Sequence, residues 1–155
     1  MIFATVGTQL PFPRLIDALA ALAPDLGEPV VAQAGPGEAA RPGLDLRESL
    51  TPDAFSDLFR AARVVVAHAG IGTVLSARRF GKPLVVLPRR HGLGEHRNDH
   101  QSATARQLQG LPGIYVAWEV PDLAALLRQG DLEPARDGRS PSHQALLARL
   151  RDFVG

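Results

Sequence analysis

The chain has 155 residues, of which 45% are hydrophobic and 21% charged, and 17 basic against 16 acidic side chains give a net charge of +1. This balance excludes the strong positive field by which proteins bind nucleic acid. The absence of cysteine excludes disulfides, thiolate zinc sites and cysteine nucleophiles, and it suits a reducing compartment such as the cytoplasm. A chain of 155 residues is expected to form a single domain over 1–155. Residues 1–6 carry no basic leader, and no run of about eighteen apolar residues occurs, so we expect neither a signal peptide nor a membrane span.

The first half of the chain alternates short apolar runs with amphipathic segments. Apolar side chains recur at helical spacing from Leu15 to Leu22, and prolines at 13 and 24 suit the first turn and the end of that helix. Thr51 followed by Pro52 is typical of a helix start, because a hydroxyl cap precedes a proline at the first helical position. The predicted elements are a strand at 1–6, a helix from 13 that ends by 24, strands at 29–33 and 44–46, and a helix beginning at 51.

The second half continues this alternation and thereby defines the fold class. Strands are predicted at 63–67, 84–87 and 114–117, and helices at 74–80, 96–109, 122–128 and 141–153. Strands that alternate with helices predict an α/β fold, a Rossmann-like parallel sheet with helices on both faces. Such sheets bind ligands at the carboxyl ends of their strands. Three stretches that follow predicted strands are therefore candidates for a site, at 7–9, 68–73 and 88–101.

The stretch His-Ala-Gly-Ile-Gly-Thr at 68–73 forms a small corner between a predicted strand and a predicted helix. Gly70 and Gly72 allow a tight turn and let a ligand approach the backbone. The amides and dipole of the following helix favour a phosphate, and Thr73 is placed to cap that helix or to bond a phosphate oxygen. The alternative is a turn that needs glycine only for packing. The corner lacks the Gly-Lys-Ser/Thr of a Walker loop and the third glycine of a dinucleotide-binding motif.

Polar side chains crowd the loop after the strand at 84–87. They are Glu95, His96, Asn98, Asp99, His100 and Gln101. Hydrogen-bonding groups of this kind suit the hydroxyls of a sugar or nucleotide. The spacing of His96 and His100 would place both on one helix face, and together with His91 they make a metal site an alternative interpretation. Against a zinc site, the segment lacks a His-Glu-x-x-His motif and a distant third ligand. A solvated loop that binds nothing is the other alternative.

Three stretches together, at 1–19, 64–89 and 94–108, resemble the carboxyl-terminal half of GT-B glycosyltransferases of the MurG-like family, which binds the UDP-sugar donor. They read MIFATVGTQLPFPRLIDAL, VVVAHAGIGTVLSARRFGKPLVVLPR and GEHRNDHQSATARQL. The resemblance is to the free-standing form of that half, as in PssE-like subunits of exopolysaccharide synthesis and the catalytic subunit of the eukaryotic dolichol-linked N-acetylglucosamine transferase. It implies an inverting hexosyltransferase that acts on a lipid-linked or polysaccharide acceptor.

The resemblance also implies a role for each matching residue. Gly7 and Thr8 would lie near the diphosphate, which the corner at 70–73 would hold, with His68 just before it. His100 and Gln101 would reach toward the donor sugar. The full set of donor-binding residues implied is Gly7, Thr8, His68, Gly70, Ile71, Gly72, Thr73, Ser76, Arg89, Asn98, Asp99, His100 and Gln101.

Two of these positions have particular implications. Arg89 matches a residue of the loop in which uracil would lie. Ser76 stands where the family commonly has a glutamate that grips the ribose, so one hydroxyl replaces a carboxylate. That substitution favours an alternative function, a non-enzymatic module that binds nucleotide sugars.

Catalysis is expected to need no metal and no cofactor apart from the UDP-sugar, because helix amides can stabilise the leaving diphosphate and no Asp-x-Asp pair is present. His68 and His100 are the candidate catalytic residues, with His68 a distant candidate for general base. The resemblance places the base in an amino-terminal half, so we expect a membrane-anchored, acceptor-binding partner of the PssD kind.

That partner would hold the chain at the inner membrane face as a peripheral cytoplasmic subunit. The apolar side of the predicted helix at 141–153 is a candidate contact surface for it, unless that helix packs on its own domain. Homo-oligomerisation is left open.

Overall fold

The computed structural model describes residues 1–7, 10–96 and 98–136, and within them one parallel sheet lies between two layers of helices. The strands are β1 (Ile2–Thr5), β2 (Val30–Gln33), β3 (Leu44–Arg47), β4 (Val64–Ala67), β5 (Leu84–Val86) and β6 (Ile114–Val116). The helices are α1 (Pro13–Leu26), α2 (Pro52–Ala61), α3 (Ile71–Phe80), α4 (His100–Leu108) and α5 (Val120–Leu127). All neighbouring strands are parallel, in the order β3-β2-β1-β4-β5-β6.

Both faces of the sheet bury apolar side chains, because successive residues of a strand point to opposite sides. Ile2 and Ala4 of β1 pack with residues of α1 and α5 on one face. Phe3, between them, packs with residues of α2, α3 and α4 on the other. Strands β1, β2 and β4 are buried throughout, as expected of the centre of a sheet covered on both faces. The predicted α/β fold is confirmed.

The first helix extends further than the sequence predicted. It continues through Pro24 to Leu26 and ends where Gly27 adopts a left-handed conformation, with φ of 67°. Pro24 lies in the last turn, where a proline removes only one hydrogen bond of the helix. The left-handed glycine, and not the proline, therefore ends α1.

Two helix starts next to the candidate site also differ from the prediction. Helix α3 begins at Ile71 rather than 74 with Gly70 as its N-cap, so Thr73 lies within the first turn and does not cap the helix. Helix α4 begins at His100 rather than 96, with Asp99 in the N-cap position, and before it His91–Leu93 form a 3₁₀ turn that ends at a left-handed Gly94. His96 and His100 consequently do not share a helix face. The predicted helix at 141–153 lies outside the described residues.

The order of the strands determines where a ligand can enter. The chain leaves β1 for α1 on one face of the sheet and leaves the adjacent strand β4 for α3 on the other. Loops that diverge in this way open a crevice at the carboxyl ends of the two strands, which is the usual ligand position in an open parallel sheet.

Candidate functional site

The crevice between the carboxyl ends of β1 and β4 contains a cavity of about 600 Å³. Its walls come from the ends of β1, β2 and β4, the loop before α2 and the first turns of α2, the start of α3, the loop after β5, and the start of α4. Of the residues that the sequence singled out, those that line the cavity are Gly7, His68, Gly70, Ile71, Gly72, Thr73, Ser76, Arg89, His96 and Gln101. Thr8 lies outside the described residues.

The first turn of α3 opens into this cavity. Its N-cap is Gly70, and no described side chain caps the helix, so the amides at positions 71–73 lack the partner that a capping residue would supply. A Cβ added to Gly72 would meet no described atom within 4 Å. The helix start therefore presents accessible amides and the positive end of its dipole to the cavity, which favours an anion.

The imidazole of His68 lies between two glycines from different loops. A Cβ at Gly7 would come within 2.8 Å of His68 Nε2, and a Cβ at Gly70 within 2.7 Å of His68 Cε1. Gly7 also has a φ of 82°, which only glycine adopts without strain. Gly70 is therefore required by the packing of the His68 ring, whereas Gly72 leaves open space at the helix start.

Gln101 connects His68 to the backbone of Arg89. Its side chain contacts His68 Nδ1 at 2.8 Å and accepts a hydrogen bond of 2.9 Å from the Arg89 N–H. Burial, together with the positive charge of Arg89 and a smaller effect of His96, lowers the pKa of His68 from 6.5 to about 4. An imidazole with a pKa of about 4 takes up a proton only weakly at neutral pH, so His68 is poorly suited to act as the general base, the role considered for it above.

The guanidinium of Arg89 faces the protein and not a ligand. It donates hydrogen bonds to the carbonyls of Val6, Leu10 and Pro11 at 2.6, 2.7 and 2.5 Å, and it stacks over the Phe12 ring at 4.7 Å. Only 2% of the residue is exposed, and this burial lowers its pKa to about 10, which leaves it charged at neutral pH. Arg89 therefore holds the loop between β1 and α1, and the contact with uracil expected from the sequence does not fit this geometry.

The residues around the start of α4 do not converge on the cavity as the sequence suggested. His100 is exposed and is absent from the cavity lining, and its backbone N–H donates to Asn98 Oδ1 at 3.0 Å. Asp99 occupies the N-cap position of α4 but makes no capping hydrogen bond with its side chain. The structure thus separates His100 from Gln101, and of the pair only Gln101 lines the cavity.

Within the described part of the chain, no group of three or more histidine, aspartate or glutamate side chains is placed to hold a metal ion. His91 and His96 are linked through the backbone, since His91 Nδ1 lies 3.1 Å from the His96 carbonyl oxygen. The histidines at 91, 96 and 100 are therefore not assembled as ligands in this structure.

Sequence reasoning missed a polar pair and an apolar wall of the cavity. Thr5 Oγ1 donates to Gln33 Oε1 at 2.6 Å, and Gln33 Nε2 donates to the Gly7 carbonyl at 3.3 Å. Gln33 ends a predicted strand, so the carboxyl-end rule applied to that strand could have found it. The apolar wall is formed by Leu50 of the loop before α2 and by Pro52 and Phe55 of α2, with Ser49 and Ser56 beside them. No sequence signal marks a site there.

A second cavity, of about 730 Å³, adjoins the first between the start of α1 and the loop after β5. Leu10 and His96 line both cavities. Among the described residues, the large hydrophobic side chains left exposed are Leu10 and Leu93, at 43% and 58%, and both line this second cavity. The Arg14–Glu95 ion pair, at 2.8 Å, forms part of its wall. None of the helices described here is long and apolar enough to cross a membrane.

Comparisons with known proteins agree with this architecture. The chain is similar to ALG13, known from an NMR solution structure, with a TM-score of 0.65 and 20% identity over 94% of each chain. It is similar to the calicheamicin glycosyltransferase CalG4, with a TM-score of 0.62 and 18% identity, covering 99% of this chain and 38% of that one. For SsfS6 of Streptomyces sp. SF2575, a glycosyltransferase complexed with thymidine diphosphate, the TM-score is 0.55 and the identity 24%, with 99% and 36% covered.

The chain thus spans less than two fifths of the length of these two larger glycosyltransferases and nearly all of ALG13. Separately from these fold similarities, the family model of the glycosyltransferase family 28 C-terminal domain matches residues 1–149. That match covers the sheet, all five helices and every residue of the cavity. The chain therefore belongs to the glycosyltransferase family 28 C-terminal domain family.

Proposed function

We propose that the chain is the donor-binding catalytic subunit of an inverting glycosyltransferase, which moves a sugar from a UDP-sugar to a lipid-linked or polysaccharide acceptor without a metal ion. The observation that carries the proposal is the uncapped start of α3, which opens into a cavity at the crevice between β1 and β4. At about 600 Å³, this cavity lies within the range of sites for small ligands.

The diphosphate is the part of the donor that the start of α3 would hold. Residues 71–73 line the cavity in the uncapped first turn of α3, and Gly72 leaves the approach to their amides open. As the bond from sugar to diphosphate breaks, negative charge develops on the leaving phosphate, and preorganised amide dipoles stabilise that charge. This supports metal-independent transfer, since the backbone supplies the positive potential.

The nucleoside would occupy the side of the cavity nearest α2. Leu50, Pro52 and Phe55 offer an apolar surface for a flat base, and neighbouring serines offer hydroxyls to its polar edge. Ser76 of α3 also lines the cavity and presents one hydroxyl to the ribose. A single hydroxyl forms a weaker contact than a carboxylate, so we expect modest affinity for the nucleoside part of the donor.

A partner subunit would supply the acceptor site and the general base. The low pKa of His68, about 4, makes its imidazole a weak base and favours a base that comes from elsewhere. The exposed Leu10 and Leu93, at the second cavity beside the donor crevice, provide apolar surface for contact with a membrane-anchored acceptor-binding protein. The chain would then act at the inner membrane face, held there by its partner.

Gly72→Ala should test the proposed diphosphate site in the free chain. The added methyl meets no described atom within 4 Å, so stability should change by less than about 1 kcal/mol. The same methyl projects where a phosphate would approach the amides, so affinity for UDP should fall by about tenfold or more. Titration calorimetry with UDP and urea unfolding measure the two effects.

Gly92→Ala is the matched control, because Gly92 also has open space around it and lines neither cavity. It should bind UDP like the unmodified chain. Failure of the unmodified chain to bind any uridine nucleotide at millimolar concentration, or unchanged UDP affinity in Gly72→Ala, would refute the proposed site.

Transfer itself requires the reconstituted pair. Co-expressed with its membrane-anchored partner, the chain should transfer radiolabelled sugar from one of several UDP-sugars to a lipid-extractable or polymeric product, and Gly72→Ala should lower the rate. EDTA should leave the transfer rate unchanged if the helix amides alone stabilise the charge of the leaving diphosphate. UDP-sugar binding without transfer by the pair would instead favour a non-enzymatic binding module, the alternative that Ser76 suggests.

A further inference from the structure

The side chain of Gln101 has both ends of its amide engaged inside the protein. One end accepts from the Arg89 N–H at 2.9 Å, and the other contacts His68 Nδ1 at 2.8 Å. Gln101 itself is buried, with 7% of its surface exposed. The amide keeps one N–H and one lone pair of Oε1, but its burial leaves a sugar hydroxyl, the contact expected from the sequence, little access to them.

The backbone of Arg89 determines which way the amide of Gln101 faces. A backbone N–H can only donate, so the group opposite it must be the carbonyl oxygen Oε1 of Gln101. The reverse orientation would set the NH₂ group against the N–H and leave two buried donors facing each other. The Gln101 NH₂ group therefore faces His68 and donates to Nδ1, which must be unprotonated to accept.

We propose that Gln101 is a positioning residue that holds His68 as its Nε2–H tautomer, so that the ring presents a hydrogen-bond donor to an anionic group in the crevice. With Nδ1 accepting, the single proton of a neutral imidazole has to reside on Nε2. Among residues 1–7, 10–96 and 98–136, Nε2 has no hydrogen-bond partner, and it lies beside Gly7 in the lining of the cavity. Only the identification of the anion as a diphosphate rests on the proposed function.

The surroundings of His68 keep the ring in this state. Gly7 and Gly70 confine the ring from two sides, and the guanidinium of Arg89 holds carbonyls at both ends of the loop that carries Gly7. The charged or titratable groups acting on the ring are Arg89 and His96, both of which disfavour a second proton on it. Arg89 thus acts on His68 twice, through its main chain by way of Gln101 and through its side chain by way of the loop.

The tautomer can be measured by ¹⁵N NMR of histidine-labelled full-length chain at pH 7, since protonated and unprotonated ring nitrogens differ widely in chemical shift. We expect His68 to have a protonated Nε2 and an unprotonated Nδ1. In Gln101→Glu, a carboxylate can still accept from the Arg89 N–H but cannot donate to the ring, so the proton should move to Nδ1 and the pKa of His68 should rise. Gln101→Met, which cannot donate and accepts only weakly, should give a mixture of tautomers.

Observation of the Nδ1–H tautomer, or of a mixture, in the unmodified chain overturns the inference without reference to any variant. Retention of the Nε2–H tautomer in both Gln101→Glu and Gln101→Met also overturns it, because Gln101 would then not set the tautomer. A purely structural role for Gln101 would change stability but leave the ¹⁵N pattern of the folded fraction as it was.

UDP binding tests the functional half of the inference separately. At pH 8, Gln101→Glu should bind UDP about tenfold more weakly than the unmodified chain, because an Nε2 lone pair and a carboxylate replace a donor near the phosphates. The ratio of the two affinities should approach one as the pH falls toward 6 and the variant imidazole gains its second proton. A changed tautomer with unchanged UDP affinity would overturn the role toward the anion, whereas the expected tautomers with no UDP binding by any form would refute only the proposed function.

Discussion

Arg89→Ala should lower the free energy of unfolding by about 3–5 kcal/mol, the largest effect of a single substitution that we expect in this protein. The change removes a buried charged group that satisfies three backbone carbonyls and stacks on Phe12, and it leaves those carbonyls without a donor. Urea unfolding followed by circular dichroism measures the loss. The loop after β1, which forms one side of the crevice proposed for the donor, should lose its position at the same time, so UDP affinity should fall in the fraction that remains folded.

Two further variants serve as comparisons for Arg89→Ala. Arg89→Lys retains a positive charge, but its ammonium lacks the planar fork that reaches three carbonyls at once, so it should lose about half as much stability. Arg106→Ala alters an exposed arginine of α4 and should change stability by less than about 0.5 kcal/mol. If Arg89→Ala were no more destabilising than Arg106→Ala, the bonds to the loop carbonyls would not be important for the fold.

Acidification from pH 7 to pH 4 should destabilise the protein through His68 by about 3 kcal/mol. Burial and the charge of Arg89 place its folded-state pKa at about 4, against 6.5 for an ordinary histidine. Between these two values the unfolded chain binds the proton and the folded chain does not, so stability falls as the pH falls from 6.5 toward 4 and is fully present above 6.5. Each unit of difference in pKa corresponds to about 1.4 kcal/mol.

The contribution of His68 is isolated by comparison with His68→Asn. The asparagine amide oxygen branches from the side chain where Nδ1 does, so it can still accept from Gln101, but it does not titrate. Protonation of carboxylates affects both proteins alike. The difference between their unfolding free energies should therefore decrease as the pH falls from 6.5 to 4, and this decrease is the contribution of His68. Parallel stability curves for the two proteins over that range would show that His68 is not held neutral in the folded state.

The crevice brings together two kinds of polar residue that look alike in the sequence. The amides at the start of α3 remain open to a ligand, whereas Arg89 and Gln101 are engaged with other parts of the chain. The resemblance assigned all of them to the donor. In the structure, some of these groups are placed to contact a ligand, whereas others hold the contacting groups in position. UDP titration therefore tests the first kind, and NMR of His68 tests the second.

Much of the fold was predictable because its signals are local. Runs of β-branched residues such as the valines at 64–66 form strands when both faces of a sheet are covered. Thr51 caps α2 by accepting a hydrogen bond of 3.2 Å from the Ala54 N–H. The boundaries that were wrong had competing local signals. Pro24 indicated an end that the left-handed Gly27 in fact provides, and Gly70 started α3 three residues before the predicted position.

By itself, the sequence determined the alternation of strands and helices, the position of the glycine corner after a central strand, and the family to which these motifs point. The tertiary structure alone decided which polar side chains around the crevice remain available to a ligand. The reason is that the partners of Arg89 and Gln101 are distant in sequence. The guanidinium of Arg89 reaches the Val6 carbonyl 83 residues away, and the amide of Gln101 reaches His68 across 33 residues. A side chain's polarity is visible in the sequence, but its hydrogen-bond partner depends on which loops the sheet brings side by side.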